Sequence, residues 1–425
     1  MESITREKIT FEAKQKRYKI EIGMDGKVEI PVEVLMLLGA EKGDSIEVRV
    51  RDNKIEILPN IHGLVRVYIE PTSRCNLACL TCVRNTWDEK MGDMELSVFN
   101  SIIEQLKVFN SLQSIMFGAF GEPLSHKDIL YMIRQAKSLG VKVEMTTNGT
   151  LLDEPMIRGL LDSGLDTLWV SFDGTEETSF EDIRYGASFK CVVENLKLLR
   201  KLRRNSKFRT EIGIAFVAMK QNIDELKNVN KLAKRIGAKK VSISNVLPYS
   251  EELQEQILYN NTIQNPDAFH SEVSINLPKI DINETTIEVL SSLIRHNHNI
   301  SILSNRLDVE GRFCRFIKDR CTFIRWDGMV SPCMGLIHSC KTHMNNYQRS
   351  VEAYTLGDVS EKSISEIWNS KEYYEFREKV NEFDFSPCNI CGGCNNMESN
   401  KEDCFGNKYP TCGACLWACG IIQCP

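Results

Sequence analysis

Three cysteines open the argument. Cys75-Asn-Leu-Ala-Cys79-Leu-Thr-Cys82 sets thiols at C-x3-C-x2-C spacing, directly after the apolar, strand-like run 64–70. Three thiolates can hold three irons of a four-iron cluster and leave the fourth iron without a protein ligand. Clusters that only move electrons normally take four cysteines, so an open iron is a place to bind and activate something. The competing reading is a zinc site with a distant fourth ligand. It fits less well, because zinc motifs favour paired C-x2–4-C units and this loop sits at a strand end.

The remaining cysteines are distributed unevenly. Of 16 in 425 residues, twelve fall between Cys314 and Cys424. The beginning of the chain has no apolar leader-like region, and no apolar run approaches the roughly 20 residues that span a bilayer, so a cytoplasmic protein is expected. In that reducing compartment a cysteine-rich tail points to metal ligation rather than to a disulfide scaffold. A net charge of −5 with 42% hydrophobic and 26% charged residues describes an ordinary globular chain and argues against nucleic acid or anionic membrane as a bulk partner.

The elements that must position these thiols follow from periodicity. Residues 1–60 read as a small β-rich domain: alternation at 18–22 and 27–31, a short helix at 34–38, and a hairpin from 44–50 and 54–58 around Asp52-Asn53. This order resembles the AbrB-like swapped-hairpin domain, a family that pairs and often binds DNA. Here basic residues are balanced by Glu29, Glu33, Glu41, Asp44 and Glu47, so homodimerisation or docking is the expectation and DNA binding is not. From 64 to 250, strand-like runs at 65–70, 114–117, 141–146, 167–172, 211–217 and 241–246 alternate with helices striped at 3.6-residue spacing, several stopped by glycine at Gly140, Gly164 and Gly237. Six strands joined by five crossover helices predict a parallel sheet with right-handed connections. Six units are too few for a closed eight-fold barrel, so the expected fold is α/β, an open partial (β/α)6 barrel. Residues 251–312 read as a bridge, with a helix at 285–296, a strand at 300–303, and His296 and His298 as surface polar residues. Residues 313–425 are loop-rich, with too little periodicity to promise an apolar core, so clusters are expected to supply their cross-links.

C-x3-C-x2-C after the first strand of such a barrel resembles the radical S-adenosylmethionine (SAM) enzymes. Gly121-Glu122-Pro123 after the second strand matches that family's G-E-P motif, whose backbone groups hold the methionine amino group. Asn148 lies in Thr-Thr-Asn-Gly-Thr after the third strand. Ser171 and Asp173 end the fourth, where the family contacts ribose and carboxylate. Arg184 matches a position that reaches the SAM carboxylate. The resemblance implies that Cys75, Cys79 and Cys82 carry a [4Fe-4S] cluster, that SAM chelates its open iron, and that one-electron reduction yields methionine and a 5′-deoxyadenosyl radical. It also implies a low-potential electron donor such as ferredoxin or flavodoxin. Thr81 departs from the large apolar residue usual before the third cysteine.

The tail resembles the SPASM extension of the same family, which implies two auxiliary [4Fe-4S] clusters. Cys314, Cys321 and Cys333 look like ligands of the first. Cys388, Cys391, Cys394, Cys404, Cys412, Cys415, Cys419 and Cys424 supply the second and the missing ligand of the first. Two zinc ribbons are the competing reading of the C-x2-C pairs. Cys340 has no spacing partner, and Cys191 reads as a core residue on its helix. Cys82-Val-Arg-Asn-Thr-Trp87, Gly92-Asp-Met94, 398–407 and 411–418 are similar to the radical SAM maturases associated with tungsten-containing aldehyde ferredoxin oxidoreductases. The expected activity is maturation of such an oxidoreductase or of its cofactor. The alternative is a peptide-modifying enzyme that makes thioether or C–C crosslinks. A reading from another class, an iron–sulfur DNA-binding regulator, leaves Gly121-Glu122-Pro123 without a purpose. No residue stands out as general base.

Overall fold

The computed structural model describes residues 28–32, 34–35, 48–51, 54–57, 61–204, 206–207, 209–259, 275–277, 300–302, 305–306, 314–344, 347–386, 388, 394–418 and 420–425. It divides into two compact units, Met1–Asn60 and Ile61–Pro425. In the first, β1 (Val48–Arg51) and β2 (Lys54–Ile57) form an antiparallel hairpin with Val48 opposite Ile57 and Arg51 opposite Lys54. A helical turn begins at Pro31, whose carbonyl accepts the N–H groups of Val34 and Leu35. The strand expected at 18–22 and the helix expected at 285–296, with His296 and His298, lie outside the described residues.

The second unit is built on parallel strands in chain order: β3 (Arg66–Ile69), β4 (Ser114–Phe117), β5 (Lys142–Thr147), β6 (Thr167–Ser171), β7 (Glu211–Ala218) and β8 (Lys240–Asn245). The crossovers carry α1 (Leu96–Leu106), α2 (Ile129–Ser138), α3 (Glu154–Ser163), the short α4 (Glu177–Glu181), α5 (Phe189–Leu202) and α6 (Val229–Ile236); α7 (Glu251–Glu255) follows β8. Local chemistry sets the helix ends. Asp153 caps α3 by accepting the Met156 N–H at 2.8 Å, a contact of about 1 kcal/mol. Gly164 ends α3 at φ 81° and Gly237 ends α6 at φ 77°, left-handed values that favour glycine. The stripe of α5 (Phe189, Val192, Val193, Leu196, Leu199) is buried throughout, and each such side chain stabilises by about 1.5–3 kcal/mol.

The cysteine-rich region joins this sheet directly. After a small sheet of β9 (Ile275–Leu277), β10 (Ile300–Ile302) and β11 (Asn305–Arg306), and the short α8 (Arg315–Lys318), strand β12 (Cys321–Ile324) lies parallel to β3. Its register sets Cys321 opposite Arg66 and Phe323 opposite Tyr68, whose rings stack at 4.2 Å. β13 (Met329–Ser331) and β16 (Gly357–Asp358) continue the sheet, giving the order β16-β13-β12-β3-β4-β5-β6-β7-β8. β14 (Cys340–Met344) and β15 (Tyr347–Val351) form a separate hairpin. α9 (Ile364–Trp368) opens on a Ser363/Glu366 capping box, and α10 (Lys371–Glu382) packs through Tyr373, Phe376 and Val380. Trp368, Tyr373 and Phe323 are among the largest fully buried side chains. The region therefore does build an apolar core, contrary to the sequence expectation. The core comes from two helices and a shared sheet rather than from cross-links alone. Among the described residues, no helix is long and apolar enough to cross a membrane.

Candidate functional site

A cavity of about 300 Å³ opens at the C-terminal ends of β3–β8, where α/β barrels build their sites. Cys75, Cys79 and Cys82 reach it from the β3–α1 connection, Gly121 and Glu122 from the end of β4, Asn148 from β5, Ser171 from β6, and Arg184 from the loop before α5. Thr81 is also on its wall. Pro123 and Asp173 are not: Pro123 starts a helical turn behind Glu122, and Asp173 is buried behind Arg184.

The walls are braced by their own backbones. The Glu122 N–H donates to Arg74 O at 2.8 Å, tying the end of β4 to the cysteine loop. A Cβ on Gly121 would stand 1.9 Å from Thr72 O, so only glycine allows that approach. The Glu122 carboxylate is 2% exposed and accepts from Leu124 N, Thr147 Oγ1 and Asn148 N at 3.1, 2.7 and 2.7 Å. Burial nevertheless raises its pKa. Its oxygens thus hold the β4 and β5 ends together.

Arg184 and Asp173 form a buried ion pair at 2.9 Å, and Asp173 also accepts the Val217 N–H at 3.0 Å. The Arg184 guanidinium lies 3.9 Å from Cys79 Sγ. Burial opposes its charge, but Asp173 and Cys79 hold its pKa above the usual value. Its Nε is buried with no hydrogen-bond partner among the described residues. Burial pushes the Cys79 thiol up to about 11 and raises Cys82 as well. Among the described residues, no three His, Cys, Asp or Glu side chains converge on a single-ion site. Three thiols around a cavity, a guanidinium on its wall whose Nε–H has no partner, and a glycine-lined edge are a donor set that fits an iron–sulfur cluster with a carboxylate-bearing ligand beside it.

The later cysteines are regrouped relative to their spacing. Cys314, Cys333, Cys412 and Cys415 line one cavity of about 60 Å³. Burial pushes Cys314 up to about 12 and raises the other three. Cys321, grouped by sequence with Cys314 and Cys333, is instead held on β12 opposite Arg66 and is not on that wall. Cys388 is in electrostatic reach of Cys404, and the Arg349 guanidinium is in reach of Cys388, Cys412 and Cys415. Cys394 and Cys404 are exposed, and Cys391 and Cys419 lie outside the described residues. Cys424 goes elsewhere: it lines the first cavity, where burial pushes its thiol up to about 11. Cys191 is exposed on α5, not in the core, because its position falls off the buried stripe.

Periodicity and spacing did not reveal several other groups. The stretch 421–425 crosses the open side of the barrel between its last and first strands. Gln423 N donates to Ser244 Oγ at 3.1 Å, Asn245 Nδ2 to Ile421 O at 2.9 Å, and Arg66 Nη2 to Pro425 O at 3.3 Å. Tyr249, 6% exposed, lines the same cavity. His338 is fixed between Glu70 at 3.0 Å and Glu89 at 2.6 Å, with Trp87 4.2 Å away, so it joins the end of β3, the cysteine loop and the C-terminal region. These pairings span hundreds of residues, and no local signal announces them.

Comparison with known proteins agrees with this geometry. Residues 69–233 match the Radical SAM superfamily, and residues 314–395 match an iron–sulfur cluster-binding domain, SPASM. The chain is 30% identical to the tungsten-containing aldehyde ferredoxin oxidoreductase cofactor-modifying protein of Pyrococcus furiosus, over 84% of this chain and 96% of that one. It is 27% identical to the PqqA peptide cyclase of Gluconobacter oxydans, over 44% of this chain and 51% of that one. The fold is like that of Streptococcus suis SuiB bound to S-adenosylmethionine, with a TM-score of 0.51 at 15% identity, covering 79% of this chain and 71% of that one.

Proposed function

The chain belongs to the radical SAM superfamily, in the family of the tungsten-containing aldehyde ferredoxin oxidoreductase cofactor-modifying protein, and on that premise we propose that it matures a tungsten-containing oxidoreductase or that enzyme's cofactor. It is a radical SAM enzyme with a SPASM domain. Its cofactors are a [4Fe-4S] cluster and SAM in the radical SAM domain and iron–sulfur clusters in the SPASM domain. When bound and reduced, they supply a 5′-deoxyadenosyl radical for abstracting hydrogen from an unreactive C–H bond.

The observation that carries the reading is the shared cavity of Cys75, Cys79, Cys82, Gly121 and Arg184. In this reading the three thiols would hold the cluster, and the Arg184 guanidinium, kept oriented by Asp173, would supply the positive charge for the SAM carboxylate. The chain's own side chains also lower the polarity of the cavity: Tyr68, Phe120, Leu247 and Tyr249 give its lining apolar surface. Cys314, Cys333, Cys412 and Cys415 hold one auxiliary cluster, and Cys388 and Cys404 contribute to another. Residues 1–60 serve as a dimerisation or docking module, and 251–312 bridge the barrel to the SPASM domain.

The maturase reading takes its substrate class from the relative that aligns over nearly its whole length. The peptide-modifying alternative draws on a cyclase aligned over half of its own length. The test pairs two assays. Anaerobically reconstituted enzyme with dithionite and SAM should release 5′-deoxyadenosine, and Cys75→Ala, Cys79→Ala and Cys82→Ala should abolish it. The reduced enzyme should then activate a tungsten oxidoreductase isolated from cells lacking this protein. Release of 5′-deoxyadenosine without any such activation would remove the maturase assignment and leave the radical chemistry standing.

A further inference from the structure

Asn148 lines the cavity that holds the three thiols, and its side chain reaches across to the cysteine loop. Its side chain is 5% exposed and fully engaged. Oδ1 accepts from Thr150 N at 2.9 Å and from Thr150 Oγ1 at 2.7 Å. A backbone N–H can only donate, so the oxygen end of the amide is fixed and Nδ2 must face the other way. Nδ2 donates to Asn76 Oδ1 at 2.9 Å and lies 3.7 Å from Cys75 Sγ. Asn76 Nδ2 in turn donates to Thr150 Oγ1 at 2.9 Å. Asn76, Asn148 and Thr150 therefore form a closed ring of hydrogen bonds that ties the cysteine loop to the end of β5. The backbone of the ring is held too. Asn148 N donates to Glu122 Oε2, and Gly149, at φ 78°, sits where a Cβ would come within 2.9 Å of Val192.

The three thiols do not receive the same donors. Cys75 Sγ is approached by Leu77 N at 3.4 Å and by Asn148 Nδ2. Cys79 Sγ faces the Arg184 guanidinium at 3.9 Å, and Cys82 accepts from the Arg84 backbone N–H. A sulfur bound to iron is an acceptor only, so a pre-aimed amide N–H next to Cys75 acts on that ligand's charge. Hydrogen bonds to cluster sulfurs set reduction potential, because the reduced cluster carries more negative charge and gains more from each donor.

We propose that Asn148, oriented by Thr150 and Asn76, is a positioning residue that raises the reduction potential of the Cys75–Cys79–Cys82 cluster through Cys75, and that it is not a SAM ligand. The inference rests on the radical SAM reading of this site. It makes the end of β5 part of the electron-transfer control of the enzyme rather than of substrate binding.

The test is a redox titration of reconstituted full-length enzyme, following the EPR signal that SAM perturbs and so selecting this cluster from the auxiliary ones. Asn148→Ala should lower the reduced-to-oxidised ratio at a fixed poise about tenfold, which is about 59 mV for a one-electron couple. Asn148→Asp, which puts a carboxylate oxygen where the N–H stood, should move it further in the same direction. Thr150→Val, which keeps the backbone N–H on Asn148 Oδ1 but removes the hydroxyl that closes the ring, should give a smaller shift of the same sign. SAM affinity of the oxidised enzyme should not change in any of the three. An unmoved potential with weakened SAM binding would overturn the proposal and make Asn148 a SAM ligand. Loss of this cluster's iron from all three variants would overturn it too, reducing the ring to a scaffold. If wild-type enzyme shows no SAM-perturbed signal and releases no 5′-deoxyadenosine, the functional reading itself fails, a result distinct from either of these.

Discussion

At the scale of single residues, the site depends on charges that burial makes unforgiving. Asp173 is fully buried, with its charge matched by Arg184. Arg184→Met leaves that carboxylate uncompensated and should cost about 3–5 kcal/mol, measured by chemical denaturation. Adding Asp173→Asn should recover much of that stability without recovering SAM affinity; recovery of both would mean Arg184 acts only through packing. Ser171 and Gly121 are legible in the sequence because each sits just at or past a strand end that periodicity locates, and Arg184 because it matches a family position ahead of the Phe189 helix. Asp173 is legible as a motif residue, but its partner is not: its side chain turns to Arg184 and Val217 instead of the cavity. Cys321 shows the same limit for ligands. Spacing groups it with Cys314 and Cys333, yet strand pairing with β3 takes it away from the wall that Cys412 and Cys415 share with those two. Spacing counts residues along a chain, whereas cluster ligation depends on where the chain returns.

At the scale of elements, the connections after β3 and β4 are locked to one another. Gly121→Ala brings a Cβ against Thr72 O, a backbone atom that cannot step aside. The variant should lose iron from the first cluster while the auxiliary iron stays, as read by iron content and by the SAM-perturbed EPR signal. Retention of both would show that the cysteine loop is free to shift. The Glu70–His338–Glu89 bridge makes a pH prediction. Burial works against the imidazolium, but hydrogen bonds to Glu70 and Glu89 overcome it and raise the pKa of His338. Burial likewise works against the Glu89 carboxylate, and the bonds from His338 and Ser339 N outweigh it and lower its pKa. The contribution of His338 is therefore complete below its unfolded value of about 6.5 and fades as pH rises through the folded value. That of Glu89 is complete above its unfolded value of about 4.3 and fades as pH falls. Melting temperature should decline on going from mildly acidic to alkaline pH, and His338→Gln should flatten that decline; an equal slope in both proteins would rule out the bridge as its source. The β/α rhythm of 64–250 is legible because glycine stops and apolar stripes are local. The parallel docking of β12 on β3 is not, since the residues around 323–330 form a local antiparallel pair with β13 and carry no signal for a strand some 250 residues earlier.

At the scale of the whole molecule, the SPASM region and the barrel share one sheet and one cavity wall. Residues 421–425 complete the chamber through bonds to β8 and β3. Replacing them with a Gly-Ser stretch should leave the cluster in place but weaken SAM binding several-fold, by isothermal titration; unchanged affinity would show that the first and last strands close the chamber unaided. Composition could announce a metal-dense tail but not this closure, because the contacts are ordinary amide and hydroxyl pairs with no sequence signature. The same segment begins a few residues after Cys412 and Cys415, which share a pocket with Cys314 and Cys333. The end of the chain is thus wired to its beginning: Pro425 O is held by Arg66, 359 residues away in sequence, so trimming a few C-terminal residues would be felt at the strand that leads into the cysteine loop.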